Sequence, residues 1–218
     1  SAETIDDVLL NGDTTTADGI NSSGATITKS TAGKAHFLLG FDGLIHLPLV
    51  DNTAVRSDRN AAIGAASYIK ALGLLGKYGT PRRQNEVVFV SDVRTHIAAL
   101  NLTEVVTMDK FGARATISTG ELAQVFGVPY IRSAQMRLAQ TNGTVANTAA
   151  SNTTGRVLCI NTTQWRVGFR RGITLENDRE PGKGQTTMYV SFRIALVERS
   201  GTRSSATHTS LAYDITGV

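Results

Sequence analysis

The feature that most restricts the fold is a strict two-residue alternation in the segment TTMYVSFRIALVER, residues 186–199. Apolar residues take every second position, and residues of mixed polarity stand between them. Because successive side chains of a β-strand point to opposite faces, this period predicts a long strand with one apolar face. We expect that face to cover a hydrophobic core and the other to meet solvent or a neighbour. The alternating apolar residues are Met188, Val190, Phe192, Ile194 and Leu196.

A different period predicts a helix over residues 58–76, where apolar residues recur at steps of about three. Asp58 or Ser57 can cap its first turn. Gly64 and Gly73 each cost about 1 kcal/mol relative to alanine in a helix. We expect both glycines to be there because the helix packs closely on a sheet.

The remaining segments are assigned from turn residues, caps and short apolar runs. The segment 13–35 is rich in Thr, Ser, Gly and Asn, which predicts an irregular surface segment. For the same reason we predict mobile loops at 139–155 and 199–210. The assigned elements are a helix end at LLNGD (9–13), strands at EVVFV (86–90), VPYIRS (128–133), GRVLCIN (155–161) and GITLEND (172–178), and a helix capped by Ser91.

Composition limits the class of protein. The 218 residues are enough for one large domain or two small ones, and the 41% apolar and 18% charged fractions are typical of a globular protein. No apolar run approaches the roughly 18–20 residues that a membrane helix needs. A net charge of +4 is modest for a dedicated nucleic-acid-binding protein. Cys159, the single cysteine, is flanked by Leu158 and Ile160 and is predicted to be a buried, unbridged thiol.

One segment has two alternative uses as a binding surface. QWRVGFRRGITLENDRE, residues 164–180, places arginines among aromatic residues and then becomes acidic. Basic residues between aromatics can bind nucleic acid, but the acidic part would repel it. Because Trp165, Val167 and Phe169 alternate, we expect the aromatics to face the core and the charges to meet a second copy of the chain. The predicted subunit-interface residues are Arg166, Arg170, Arg171, Glu176, Asp178 and Glu180.

No residue pattern indicates catalysis. The segment GLLGKYG, residues 73–79, lacks both the first glycine and the Ser/Thr of a phosphate-binding loop. The histidines are far apart in sequence, without HxxxH spacing, and no CxxC is present. We therefore predict no enzymatic activity, no cofactor and no metal site. The histidines are His36, His46, His96 and His208.

Taken in order along the chain, several segments resemble the major capsid proteins of tailed bacteriophages, whose architecture is called the Hong Kong 97 fold. The resemblance runs from about residue 4 to residue 199. The helix end LLNGD, the strand pair GELAQVFGVPYIRS and the strand GFRRGITLE carry most of it. FDGLIHLPLVDNT, LGLLGKYGTP and VVFVSDVRTHIAAL add to it in family order.

The resemblance implies an α+β fold with an axial domain and a peripheral domain built on long antiparallel strands. The axial domain would be residues 50–163, at the centre of a pentamer or hexamer. The peripheral domain would combine residues 1–49 with residues 164–218. The first helix would be the end of the family's long spine helix, so the N-terminal arm, the extended loop and most of that helix would lie upstream of Ser1. Without that loop, we expect the chain alone to be a monomer or a small oligomer.

Some members of this family join their subunits through an isopeptide bond between a Lys of the extended loop and an Asn on the last long strand, assisted by a Glu. Val190 and Val197 stand where the resemblance would place that Asn and Glu. The resemblance therefore implies a shell held by noncovalent contacts or by accessory proteins.

The function implied is structural: a major capsid subunit that tiles the pentamers and hexamers of an icosahedral shell around a DNA genome. Its partners would be other copies of itself, together with scaffold, maturation protease, portal or decoration proteins. Contact with packaged DNA would be non-specific, and no membrane would be involved. The protein would be assembled in the host cytoplasm and reside in the virion. Two alternatives stay open, a nanocompartment shell of the same fold and a nucleic-acid-binding module.

Overall fold

A computed structural model describes residues 2–14, 38, 40–80, 83, 85–102, 124–146, 148–199 and 202–218, with side chains except at 2–4, 171 and 192. Most of the predicted irregular segment 13–35, together with His36, lies outside the described residues. The main elements are α1 (Ala2–Asn11), β1 (Arg56–Ala62), α2 (Ala65–Leu74), β2 (Val87–Ser91), α3 (Val93–Leu100), β3 (Gln124–Val125), β4 (Val128–Arg132), β5 (Gly155–Asn161), β6 (Trp165–Glu180), β7 (Gln185–Glu198) and β8 (Thr209–Thr216).

A six-stranded mixed sheet forms the centre of the fold, in the order β1-β8-β5-β2-β4-β3. The pairs β1/β8 and β2/β4 are parallel, and the other neighbours are antiparallel. β2 and β5 are buried over their whole length, and β8 is buried up to its last residue. Strands covered on both faces consist of continuous apolar runs, which is why VVFV and VLCI were recognisable in the sequence.

The two faces of this sheet contribute to two hydrophobic clusters. Leu158 and Ile160 of β5 point into one cluster, which is completed by the segment around 45–55. Val157 and Cys159 point into the other, which α2 and α3 cover. The alternation follows from the period of two. The prediction that Cys159 is a buried thiol is confirmed.

The helix predicted over 58–76 is only partly right, because α2 occupies 65–74 and residues 56–62 form β1. β1 pairs with β8, with Arg56 beside Leu211. This pairing with a strand distant in sequence outweighs the three-residue spacing that predicted a helix.

The capping and packing predicted for that helix are also wrong. Gly64 is the N-cap residue, not Asp58 or Ser57, and it makes no side-chain cap. A Cβ added at Gly64 or Gly73 would meet no described atom within 4 Å, so neither glycine is required by close packing.

The predictions for the other two helices are confirmed in type. α1 ends at Asn11 and Gly12 follows it. α3 follows β2 directly, but its cap is Asp92 and not Ser91. The Asp92 carboxylate accepts a hydrogen bond from Thr95 N at 2.9 Å, which satisfies one of the free amides of the first turn.

The two segments predicted to be mobile loops are partly packed. Within 139–155, Ala139 and Val145 are buried. The wholly buried Arg156 guanidinium donates to the carbonyl oxygens of Gly143, at 3.2 Å, and of Arg137, at 2.7 Å. In the second segment, His208 is buried. The prediction that these segments contribute nothing to the core is therefore wrong.

β8 was not predicted as a strand, although it is the second strand of the sheet. It pairs with β1 on one side and β5 on the other. It thus joins residues assigned to the peripheral domain, 164–218, to a sheet made otherwise from residues 56–161. The division into domains stays a prediction, and this pairing bears on where its boundary falls.

Candidate subunit interface

β6 and β7 form a separate two-stranded antiparallel ribbon, which we call the ribbon. Register pairs run from Trp165 beside Glu198 to Glu180 beside Gln185. At about 3.4 Å per residue, sixteen residues of β6 extend the ribbon to about 50 Å. A short turn, residues 181–184, closes it, and Gly184 has a positive φ of 62° there, which glycine adopts without strain. The long strand predicted at 186–199 is confirmed as β7, and the strand predicted at 172–178 is confirmed as part of the longer β6.

The register separates an apolar face from a polar face. β7 is continuous, whereas the register on β6 shifts around Arg170 and again before Thr174. β-bulges of this kind add a residue to one strand and change the face on which later side chains stand. Because β7 has no bulge, its residues at even positions all lie on one face of the ribbon, together with the β6 residues that pair with them. That face carries Val167, Phe169 and Leu175 of β6 with Met188, Val190, Ile194 and Leu196 of β7.

Most of this apolar face is exposed. In the part of the chain that the structure describes, the covered portion is its base, where Trp165 joins a core cluster and Ile194 packs against Val8 and Leu38. Farther along, Phe169 is 64% exposed and Met188 is 65% exposed. The expectation that the apolar face covers a core along its whole length is wrong, as is the expectation that Phe169 faces that core.

The polar face carries four of the predicted interface residues, Arg166 near the base and the three acidic residues near the turn. Arg166 pairs with Val197, while Glu176, Asp178 and Glu180 pair with Tyr189, Thr187 and Gln185, all at odd positions of β7. The arginine and the three acidic residues therefore share one face, and all four are exposed. Glu180 Oε2 lies 2.9 Å from Lys183 Nζ.

Two other predicted interface residues stand in the irregular part of β6. Arg170 is exposed and lies between the partners of Ile194 and Arg193, so it occupies a bulge and not a register pair. The backbone of Arg171 pairs with Arg193, but the Arg171 side chain lies outside the described residues.

The base of the ribbon is held by a buried polar network. Trp165 Nε1 donates to Thr209 Oγ1 at 2.9 Å, and the Trp165 ring meets the His208 ring edge-on with centroids 5.2 Å apart. His208 Nε2 lies 3.2 Å from a carboxylate oxygen of Glu198. The Arg203 guanidinium stands over the Trp165 ring at 5.8 Å. These contacts fix the ends of both ribbon strands to the start of β8.

A second group of polar residues lies beside this network, where the end of α1 meets the segment 41–51. His46 is buried, with Nδ1 3.0 Å from Asp51 Oδ2. Its Nε2 faces Asp13 Oδ1 at 3.6 Å and Asp42 Oδ1 at 3.8 Å. Asp51 in turn pairs with Arg203 Nε at 2.9 Å. This group was not predicted from the sequence, because its members lie on segments that are far apart in the chain; the four-residue step from Asp42 to His46 was its local signal.

The Asp42 carboxylate is held in its ionised form. Burial opposes ionisation, but hydrogen bonds from Thr14 N and Thr14 Oγ1, both 2.8 Å, together with the His46 ring and Arg203, outweigh it. The pKa of Asp42 is therefore lowered below its ordinary value.

The buried thiol and the buried phenol are parts of the core. Burial raises the pKa of the Cys159 thiol, which disfavours the reactive thiolate. Burial also raises the pKa of Tyr130, whose hydroxyl lies 2.6 Å from Ser91 Oγ. Tyr130 packs edge-on against Tyr68 in the cluster beneath α2. Both groups therefore serve packing.

Among the residues described, no helix has the length and apolar character needed to cross a membrane.

Comparison with solved structures identifies the architecture. A chain described as Mycobacterium phage Che8 matches with a TM-score of 0.54 at 15% sequence identity, over 77% of this chain and 56% of that chain. A chain from the asymmetric unit of the bacteriophage PhiM1 mature capsid matches with a TM-score of 0.51 at 13% identity, over 79% of this chain and 60% of that chain. The chain thus spans a little over half the length of these solved chains. No protein-family model and no curated protein matches the sequence.

The fold is therefore of the class found in phage capsids, a mixed α+β architecture with a central sheet and a long antiparallel ribbon. The Hong Kong 97-like fold implied by the sequence resemblance is confirmed.

Proposed function

We propose that this chain is a structural subunit of the shell of a tailed bacteriophage, and that copies of it tile the pentamers and hexamers around a DNA genome. The fold supports this proposal, and the exposed apolar face of the ribbon carries it. A capsid subunit needs complementary surfaces rather than an active site, because each copy is held by several neighbours at once.

The ribbon requires a partner for a physical reason. An isolated two-stranded hairpin is at best marginally stable in water, and a monomeric protein rarely exposes a large contiguous apolar patch. Phe169, Leu175 and Val190 are each more than half exposed on one face of this hairpin. A neighbouring subunit that covers this face would supply the burial that the described residues of the chain do not.

The polar face of the ribbon favours protein over DNA as a partner. Arg166 and Arg193 share that face with Glu176, Asp178 and Glu180, so its exposed charges are of both signs, with the acidic ones toward the turn. A polyanion would be repelled by the acidic part, whereas a second copy can place its basic end against the acidic end. We assign Arg166, Arg170 and Arg171 to contacts between subunits on this argument.

The two-domain organisation is retained with a different boundary. Residues 50–163 would form most of the axial domain, and β8 belongs with them because it pairs with β1 and β5. The peripheral domain would comprise α1, the segment before residue 50 and the ribbon. Scaffold, maturation protease, portal or decoration proteins would be further partners in a virion assembled in the host cytoplasm, and contact with packaged DNA would be non-specific.

Purification of DNA-containing particles tests the proposal. From cells that produce the chain with the other proteins of its virion, nuclease-resistant particles should contain this chain as their most abundant protein, measured by quantitative mass spectrometry. Its absence from such particles, or its presence in only a few copies per particle, would contradict a role as the major subunit.

A matched pair of variants tests the ribbon itself. Phe169→Ser combined with Leu175→Ser should abolish particle formation while the purified chain keeps its circular dichroism spectrum. Ile69→Ser, at a side chain 55% exposed on α2, removes a similar apolar group from outside the ribbon and should preserve particles. Normal particles from the ribbon variant would contradict the assignment of this face.

A nanocompartment shell of the same fold is the second candidate. The absence of a catalytic pattern in the sequence fits either shell. The particle contents separate the two: nuclease-protected DNA identifies a virion, and an enclosed enzyme without DNA identifies a compartment.

A further inference from the structure

We propose that Asp13, Asp42 and His46 form a binding site for a divalent transition-metal ion, with Zn²⁺ as the best fit. The site ties the end of α1 to the segment 41–51, which lies beside the base of the ribbon through the contact of Asp51 with Arg203. It is independent of the proposed capsid role, because it rests on the geometry of three side chains.

The three candidate ligand atoms lie close together. His46 Nε2 lies 3.6 Å from Asp13 Oδ1 and 3.8 Å from Asp42 Oδ1, and one ligand atom from each residue lies within 4.8 Å of the others. The two distances from His46 Nε2 are too long for hydrogen bonds. Around a zinc ion with ligands at about 2.1 Å, neighbouring ligands of a tetrahedron stand about 3.4 Å apart. Both distances from His46 Nε2 exceed that separation by only a few tenths of an ångström.

The His46 ring is oriented with Nδ1 toward Asp51 and Nε2 toward the other two candidate ligands. The Nδ1–H can donate to Asp51 Oδ2 at 3.0 Å, which leaves the Nε2 lone pair directed at Asp13 and Asp42. A carboxylate behind one ring nitrogen and a metal at the other is a common arrangement in protein metal sites. The His46 side chain is only 5% exposed, and Nε2 has no hydrogen-bond partner in the described part of the chain. A polar atom buried in this way requires an explanation, and a bound cation supplies one.

The charges beside the site favour a bound cation. The carboxylates of Asp42 and Asp51 are each 22% exposed, and Arg203 lies beside both. Its guanidinium lies 2.9 Å from Asp51 but 3.9 Å from Asp42. Buried carboxylates are stable when they are paired or coordinate a metal. A divalent ion at the site would bring a positive charge closer to Asp42 than Arg203 does.

The local fold places these ligands in advance. Gly43 N donates to Gly12 O at 2.7 Å, and Ile45 N donates to Leu10 O at 3.1 Å, so the segment carrying two ligands is fastened to the end of α1. A Cβ at Gly12 would overlap the carbonyl oxygens of Phe41 and Val8, so only glycine permits this approach. Thr14 donates twice to Asp42 Oδ1 and thereby orients that carboxylate.

The ligand set selects among ions. One imidazole and two carboxylates suit Zn²⁺, and Mn²⁺ or Co²⁺ can use the same donors, whereas Ca²⁺ and Mg²⁺ prefer oxygen alone. Three protein ligands leave one tetrahedral position for water. The bound ion would join Asp13 and Asp42, which are 29 positions apart, and so hold the end of α1 against the segment 41–51.

Titration of the metal-stripped chain with Zn²⁺ by calorimetry, and with Co²⁺ by visible absorption, tests the proposal. We expect one ion per chain and cobalt bands typical of four- or five-coordination. His46→Gln and Asp13→Asn should each weaken binding at least about 100-fold, and Asp51→Asn should weaken it about 10- to 100-fold through the orientation of the ring. The matched controls are Asp6→Asn, an exposed carboxylate on α1, and His208→Gln, a buried histidine outside the ligand set; both should bind normally.

A measurement on the unmodified chain tests the site without relying on the folding of any variant. Zn²⁺ should shift the nitrogen resonance of His46 Nε2 and leave those of His96 and His208 in place. No ion bound, binding of Ca²⁺ or Mg²⁺ in preference to Zn²⁺, or an unshifted His46 resonance at saturating Zn²⁺ would each overturn the proposal.

Discussion

Two phenylalanines in β-strands show how differently the central sheet and the ribbon are built. Phe89 of β2 is fully buried and packs edge-on against Tyr68, with ring centroids 5.3 Å apart. Phe169 of β6 is 64% exposed. The sheet is covered on both faces by its own chain, whereas among the described residues the ribbon is covered at its base and exposed beyond it. The sheet therefore stabilises the folded chain, and the proposal that the ribbon contacts other chains rests on its exposed apolar side chains.

The largest expected effect is on the sheet side of this comparison. Phe89→Ala removes a buried ring and should lower the free energy of unfolding by about 3–5 kcal/mol, measured by urea denaturation. Phe169→Ala removes the same atoms from the ribbon and should change it by no more than about 0.5 kcal/mol. If the two variants were equally destabilised, the ribbon would be part of the monomer core and the comparison would fail.

A smaller effect is expected where the two regions meet. Trp165→Phe keeps most of the buried aromatic area but loses the hydrogen bond from Nε1 to Thr209 Oγ1. We expect a loss of about 1–2 kcal/mol in the free energy of unfolding. Thr209→Val provides the reciprocal control, and the double variant should cost less than the sum of the two single variants. Strict additivity in this cycle would show that the bond does not couple the ribbon to the sheet.

Removing a charge from the sheet should produce a modest gain in stability. Burial, reinforced by the neighbouring Asp58 carboxylate, raises the pKa of Asp214 above its ordinary value of 3.8. The stability contributed by this carboxyl is complete below the unfolded pKa and is lost as the pH rises through the folded pKa. Asp214→Asn should therefore raise Tm at neutral pH, by no more than a few degrees.

The pH dependence provides the check on that variant. Near pH 3 both forms of the side chain are neutral, so the difference in Tm should disappear. Asn also tolerates the positive φ of 55° at this position, so the backbone is not strained by the change. A constant difference across the pH range would mean that charge is not the cause.

The smallest effect on monomer stability is expected from the charged residues of the ribbon. Reversal of Arg170 and Arg171 to Glu should leave the free energy of unfolding nearly unchanged and weaken shell assembly, because the basic end could no longer meet an acidic neighbour. Lys70→Glu, on an exposed position of α2, is the matched control. Assembly at the normal yield, measured by sedimentation of particles, would contradict the assignment of these arginines.

The sequence predicted the strands of the sheet and the ribbon for different reasons. VVFV and VLCI are short continuous apolar runs, and the two ribbon strands show alternation. Alternation identifies a strand with one apolar face but does not say which chain covers that face. This is why Phe169 was expected in the core. Its period is the same whether the covering surface belongs to its own chain or to a neighbour.

Other features depend on contacts between distant residues. Nothing in RSDRNAA indicates a strand, and β1 exists because β8 pairs with it. Asp13 and His46 meet only because the segment 43–45 hydrogen-bonds to the end of α1. Local propensity carries no information about such contacts, because tertiary structure, and not spacing in the sequence, brings these residues together.

The position of β8 between β1 and β5 has a consequence for the synthesis of the chain. Arg56 lies beside Leu211, so β1 leaves the ribosome long before its parallel neighbour exists. Until residues 209–216 are made, β1 lacks its native partner strand, and the edge of β5 that pairs with β8 has no partner. Contacts of such long sequence separation form slowly, and open strand edges attract other chains. Nascent chains crowded on one messenger RNA would therefore be exposed to premature association, and chaperone protection would be needed most just before β8 emerges.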